Sequence, residues 1–140
     1  MRKSYGILNI CHGHLPTLSP ENTIKEAKEY FDSRSFNVNV IPIVHDKRCV
    51  GVIDREIINL FLSPTAGSKL ETTKDLTIWK KTLNTVMRTD VYRASFNTKV
   101  SEISGLVKSG IKAPWVIEDE MGQYLGLITD QDLLSHFANG

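Results

Sequence analysis

The chain has 140 residues, of which 41% are hydrophobic, and this length fits one globular domain or two small repeats that share a core. Its 17 lysines and arginines nearly balance 16 aspartates and glutamates, without the basic blocks expected of a nucleic-acid-binding protein. Apolar runs span only a few residues, the N-terminal stretch lacks an apolar signal segment, and two cysteines are too few for a disulfide framework. We therefore expect a cytoplasmic protein with no nucleic-acid or membrane partner.

The first part of the chain predicts the order helix, strand, turn, strand, helix. Thr23 and Glu26 have the spacing of a capping box, and apolar residues then recur at helical intervals at Ile24, Ala27, Tyr30 and Phe31. Residues 38–44 and 49–53 predict two strands that are separated by a turn at residues 46–48. Asp54 is placed to cap a second helix, whose apolar residues are Ile57, Ile58, Leu60 and Phe61.

The middle of the chain predicts a bridging helix. Asp75 lies near its start, and one helical face carries Leu76, Trp79, Leu83, Val86 and Met87. We expect Trp79 and Trp115 to be core residues, because large aromatic side chains on apolar stripes are usually buried.

The last part of the chain repeats the order of the first. A helix is predicted from Val100, Ile103, Leu106 and Val107, and Gly110 can end it. Residues 113–117 and 123–128 predict strands that are joined by a turn at residues 119–122, and Thr129 can cap a final helix. The motif Gly51-Val-Ile recurs as Gly126-Leu-Ile about 75 residues later, which indicates an internal repeat.

These two copies resemble a tandem pair of cystathionine-β-synthase (CBS) domains, a regulatory module. The resemblance rests on IPIVHDKRCVGVIDREII in the first copy and APWVIEDEMGQYLGLITDQDLL in the second, each preceded by a helix. It implies an α/β fold in which two helix–strand–strand–helix repeats pack as a pseudo-symmetric pair, with clefts that commonly hold adenosine-containing ligands. The expected parts are a first repeat at 1–62, a bridging segment with a helix at 63–93, and a second repeat at 94–140.

The resemblance also implies a ligand site. Nucleotide-binding members carry Gly-x-Ile/Val-Ser/Thr-x-x-Asp, which places Thr129 near a phosphate and Asp132 near the ribose, whose two hydroxyls a carboxylate can accept. The first copy has Asp54 and Ile57 at the matching positions, so its own cleft lacks these groups. The further ligand contacts that the resemblance implies are His14, Pro16, Val38, Asn39 and Leu127, with Lys112 as the phosphate candidate.

Several other interpretations of these residues remain open. Thr129 and Asp132 also have the spacing of a capping box, which stabilises a helix start whether or not a ligand binds. Lys112 can be a solvated charge at the end of a strand. Zinc binding by Cys11, His14, His45 and Cys49 is disfavoured, because the spacing matches no recognised site and Cys49 falls at a buried strand position.

We expect a non-enzymatic sensor that requires no cofactor and takes an adenine nucleotide, such as AMP, ADP or ATP, as its regulatory ligand. The alternative is a ligand-free dimerisation module of a signalling system, and an enzyme is disfavoured because no acid, base and nucleophile converge. We also expect an effector protein as partner. A homodimer is expected through apolar helix surface at Leu60, Phe61, Leu133, Leu134 and Phe137.

Overall fold

The computed structural model describes residues 16–33, 39–62, 66, 68–110, 114–129 and 132. In chain order, their helices and strands are α1 (Ile24–Asp32), β1 (Val40–His45), β2 (Arg48–Asp54), α2 (Arg55–Phe61), α3 (Thr73–Trp79), β3 (Tyr92–Ser95), α4 (Val100–Lys108), β4 (Trp115–Glu118) and β5 (Tyr124–Ile128). The chain divides into two compact units. One contains Pro16–His45 and Val50–Thr89, and the other contains Asp46–Cys49 together with the chain from Asp90 onward.

The first unit is built on α1 and the sheet of β1 and β2. The predicted capping box is confirmed, because Thr23 Oγ1 accepts from Glu26 N–H and Glu26 Oε1 accepts from Thr23 N–H. Asp54 caps α2 as predicted, accepting from Ile57 N–H at 2.8 Å. Before α1, Leu18 forms an isolated parallel bridge with Ile43. The chain at Leu18 therefore pairs with β1 as a strand would, but over a single residue.

The bridging segment packs onto the first unit. α3 begins with a capping box between Thr72 and Asp75 and ends at Trp79. The prediction that one helical face continues to Met87 is wrong: Thr82 is extended, and residues Leu83–Thr85 form a separate 3₁₀ turn. The physical reason is that the backbone after α3 pairs with the turn before α1, including an antiparallel bridge between Thr23 and Thr82.

The core of the first unit draws side chains from all of these elements. Its buried members are Leu18, Ile24, Ala27, Phe31, Ile41, Ile43, Ile53, Ile58, Leu83 and Val86. Trp79 is half-buried and packs against this cluster, in line with its predicted core role. Burial of this apolar surface is the main stabilising term of the unit.

The second unit is a three-stranded sheet covered by α4. The strand order is β3-β4-β5, with β3 parallel and β5 antiparallel to β4. The sequence did not predict β3. Trp115 is fully buried, as predicted, in a cluster with Ala94, Ile103, Ile117 and Ile128. Gly110 has a φ of 94° after α4, the left-handed conformation expected of a glycine that ends a helix.

Both units contain the helix–strand–strand pattern, which confirms the predicted α/β fold of two repeats. No helix in the described ranges is long and apolar enough to cross a membrane.

Candidate functional site

The predicted ligand motif lies where β5 ends. Ile128, the last residue of β5, is fully buried, and Thr129 directly after it retains only 6% of its exposure. The buried end of β5 therefore holds the backbone at Thr129 in place. Asp132 has a helical conformation and is half-buried.

Thr129 and Asp132 are brought together by three hydrogen bonds. The carboxylate oxygen Oδ2 of Asp132 accepts from the backbone N–H of Thr129 at 2.7 Å and from its hydroxyl at 3.0 Å. In return, Thr129 Oγ1 accepts from the backbone N–H of Asp132 at 3.3 Å. The geometry is that of a capping box, so the capping interpretation of this pair is confirmed.

The capping geometry limits what the Thr129 hydroxyl can offer a ligand. A threonine hydroxyl has one proton, and here that proton is directed at Asp132. A phosphate oxygen could receive it only by displacing the carboxylate. The carboxylate itself has two oxygens with about four acceptor sites, and the hydrogen bonds to Thr129 use Oδ2.

The remaining predicted contacts are a buried residue of β5, two residues of the first unit, and three residues outside the described ranges. Leu127 is fully buried in β5 and pairs with Val116. Pro16 and Asn39 belong to the first unit, where Asn39 precedes β1 and its carbonyl accepts from Arg55 N–H at 3.2 Å. His14, Val38 and Lys112 lie outside the described residues, as do Cys11 of the disfavoured zinc site and Leu133, Leu134 and Phe137 of the dimer surface.

In the first repeat, the residues at the matching positions stabilise the fold. Asp54 Oδ1 caps α2, while Oδ2 lies 3.4 Å from Nη1 of Arg88. Ile57, which stands where the second repeat has Asp132, packs against the first core. Arg88 was not predicted at this position, since 34 residues separate it from Asp54 and no motif joins them. It is carried there by mutual backbone hydrogen bonds of 2.9 Å with Val52.

These features define an α/β protein built of two repeats, with a polar strand-to-helix junction at the end of each repeat's last strand. The chain belongs to the CBS domain family, which matches residues 8–62 and 83–139. It is a CBS pair, and CBS domains are typically non-catalytic regulatory domains. No curated protein sequence matches the chain.

Solved structures with the same fold cover almost the whole chain. The AcuB protein of Vibrio cholerae is 17% identical with a TM-score of 0.78, over 98% of this chain and 93% of that one. The CBS domain pair of protein MJ0100, solved in complex with 5′-methylthioadenosine and S-adenosyl-L-methionine, is 22% identical with a TM-score of 0.69, over 98% of each chain. Protein MJ1225 of Methanocaldococcus jannaschii is 23% identical with a TM-score of 0.72, and 98% of this chain covers 49% of it.

Proposed function

We propose that this CBS pair is a regulatory module that binds an adenosine-containing ligand at the junction formed by Thr129 and Asp132. The observation that supports the proposal most directly is the Asp132 carboxylate, which is fixed at the end of β5 by its bonds to Thr129. A carboxylate held in this way can accept both hydroxyls of a ribose. The MJ0100 complex with two adenosine derivatives gives a relative that binds this ligand class.

The proposed mechanism is a shift between populations. A ligand that binds one conformation of the pair more tightly than another raises the population of the first conformation, and an effector protein detects the change. The Thr129 hydroxyl contributes mainly by orienting Asp132, because its proton is directed at that carboxylate. His14, Pro16, Val38, Asn39, Leu127 and Lys112 stay predictions for the rest of the ligand contacts.

A second candidate function is a ligand-free interaction module. It is favoured by the first repeat, where Asp54 is engaged by Arg88 and Ile57 by the core, so that this junction has no ribose carboxylate. The capping role of Asp132 is equally consistent with it, because a capping box needs no ligand.

A thermal-shift experiment separates the two candidates. A ligand that binds only the folded state raises the melting temperature by mass action. We expect at least one of AMP, ADP, ATP, 5′-methylthioadenosine and S-adenosyl-L-methionine to raise it in a saturable manner, whereas the matching guanine nucleotides should not. An unchanged melting temperature with every compound at millimolar concentration would favour the ligand-free module.

A further inference from the structure

A pocket of about 320 Å³ opens on the first unit, and none of its described lining residues is one that was predicted to contact an adenosine ligand. It lies at the His45 end of β1, whereas the predicted contact Asn39 precedes the opposite end of that strand. The described residues that line it are Pro20, Glu21, His45, Val50, Thr82 and Asn84. Its volume is at the lower end of the range for small-molecule sites.

Backbone hydrogen bonds join the two segments that carry most of the pocket lining. Asn84 N–H donates to Pro20 O at 3.0 Å, and Leu83 N–H donates to Asn22 O at 2.8 Å. Ile24 N–H donates to the carbonyl of Lys81 at 2.9 Å. The segment after α3 and the turn before α1 are therefore held together, and both contribute lining side chains.

The polar groups around the pocket have hydrogen-bonding capacity to spare. The Ser19 hydroxyl donates to Oε2 of Glu21, but Oε1 accepts no hydrogen bond from the described part of the chain. Within the same ranges, the Thr82 hydroxyl and the Asn84 side-chain amide also have no protein partner. Pro20 and Val50 add apolar wall beside these groups.

Glu21 is the acidic side chain among the described residues that line the pocket, and His45 is the only basic one. The Ser19 hydroxyl lowers the pKa of the Glu21 carboxyl, with further lowering from the backbone N–H of Glu21 and from the charge of His45, while burial acts in the opposite direction. Glu21 is therefore ionised at neutral pH and would repel an anion. An ammonium group, which donates three hydrogen bonds, matches a carboxylate flanked by hydroxyl and amide oxygens.

We propose that this pocket is a second ligand site, which binds a small organic cation with a primary ammonium group and a short aliphatic chain. The ammonium donates to Glu21 Oε1, to the Thr82 hydroxyl oxygen and to the Asn84 amide oxygen. The aliphatic chain lies against Pro20 and Val50. The site is independent of the adenosine ligand proposed above.

Three four-carbon probes test the chemistry of the site. Putrescine, 1,4-butanediol and succinate have the same chain length but positive, zero and negative charge. In titrations of ¹⁵N-labelled protein, we expect putrescine to shift the amide resonances of Glu21, Thr82 and Asn84 in a saturable manner. Absence of saturable shifts with putrescine, or equal binding of butanediol or succinate, overturns the proposal.

Matched variants locate the binding. Glu21→Gln should weaken putrescine binding about tenfold or more, since it removes the charged acceptor but keeps the shape. Glu29→Gln makes the same charge change at an exposed residue of α1 that does not line the pocket. Thr82→Val removes one hydrogen-bond acceptor from the pocket and keeps the side-chain volume. We expect Glu29→Gln to bind as the wild type does and Thr82→Val to bind more weakly. Wild-type affinity in both Glu21→Gln and Thr82→Val contradicts the site.

A putrescine titration of Asp132→Asn distinguishes this second site from the proposed adenosine site. Putrescine affinity should be unchanged there, whatever happens to adenosine ligands. A loss of putrescine affinity in Asp132→Asn, with Glu21→Gln unaffected, would place the cation at the β5 junction and overturn the second site.

Discussion

The side chains of Thr129 and Asp132 form the same capping box that begins α3. There, Asp75 Oδ2 accepts from Thr72 N–H at 3.0 Å, and Thr72 Oγ1 accepts from Asp75 N–H at 3.2 Å. Both boxes read Thr-x-x-Asp, but only the one after β5 stands at the proposed ligand position. The chain therefore contains its own control for separating a helix cap from a ribose acceptor.

Asp132→Asn is expected to damage ligand binding and helix stability together, while Asp75→Asn damages stability alone. Each change weakens a capping box, at a few tenths to about 1 kcal/mol of unfolding free energy. Only Asp132→Asn should also lower the affinity for the adenosine ligand, by about ten- to hundredfold, because a charged acceptor is lost. Calorimetric titration beside urea denaturation measures both quantities. Equal ligand affinity in the two variants would remove Asp132 from the ligand site.

Ser19→Ala should raise the pKa of the Glu21 carboxyl, because the Ser19 hydroxyl is the largest cause of its lowering. A lowered pKa in the folded state means that the ionised carboxylate stabilises the fold above its ordinary pKa, and that this contribution is lost as the pH falls through the lowered value. In the variant, the folded-state pKa of Glu21 should lie closer to its ordinary value, so the pH range over which this stabilisation is lost should be narrower. An NMR titration of the Glu21 carboxyl measures the shift, with Ser95→Ala as the control. An unchanged pKa in Ser19→Ala would exclude the hydrogen bond in solution.

At the scale of elements, local signals predicted most of the fold. Capping spacing and apolar periodicity predicted α1, α2 and α4, and β-branched runs predicted β1, β2, β4 and β5. β3 escaped prediction because only Ala94 of its four residues is buried, and its partner β4 lies more than twenty positions later in the chain. Pairing between distant segments leaves no local pattern, and the same reason explains the missed Leu18 bridge and the missed Arg88 beside Asp54.

The two candidate ligand sites were predictable to different extents. Thr129 and Asp132 are close in sequence and follow a motif, so their proximity could be predicted. The cation pocket joins the turn before α1 to the segment after α3, and this pairing depends on backbone hydrogen bonds that no side-chain pattern marks.

Gly51→Ala should destabilise the first unit, while Gly105→Ala should stabilise the second. A Cβ at Gly51 would lie 2.7 Å from the Arg88 carbonyl oxygen, so the backbone bridge to Val52 has to shift, at about 1–3 kcal/mol. A Cβ at Gly105 meets nothing within 4 Å, and alanine in a helix is favoured over glycine by roughly 0.5–1 kcal/mol. Urea denaturation of both variants checks the opposite signs. A neutral Gly51→Ala would contradict the close approach of the Arg88 carbonyl oxygen. A destabilised Gly105→Ala would contradict the open space beside Gly105.

At the scale of the whole molecule, we expect a homodimer formed through apolar helix surface. Leu60 on α2 is 77% exposed and belongs to the predicted dimer surface. Leu60→Glu should shift the protein toward monomer in sedimentation velocity at micromolar concentration. Leu70→Glu, at a residue that is 74% exposed but outside the predicted face, should leave the dimer intact. A monomeric wild type, or equal dissociation by both changes, would contradict this interface.

Because residues 81–88 are hydrogen-bonded into the first unit, a fragment that keeps the core of this unit has to extend to about Thr89 and not only to the end of α2. A recombination junction directly after Phe61 would separate Leu83 and Val86 from their core. It would also separate Pro20 and Asn22 from the backbone N–H groups that donate to their carbonyls. A duplicate of residues 8–62 alone, the first stretch that the family model matches, would therefore lack Leu83 and Val86, which the first core buries.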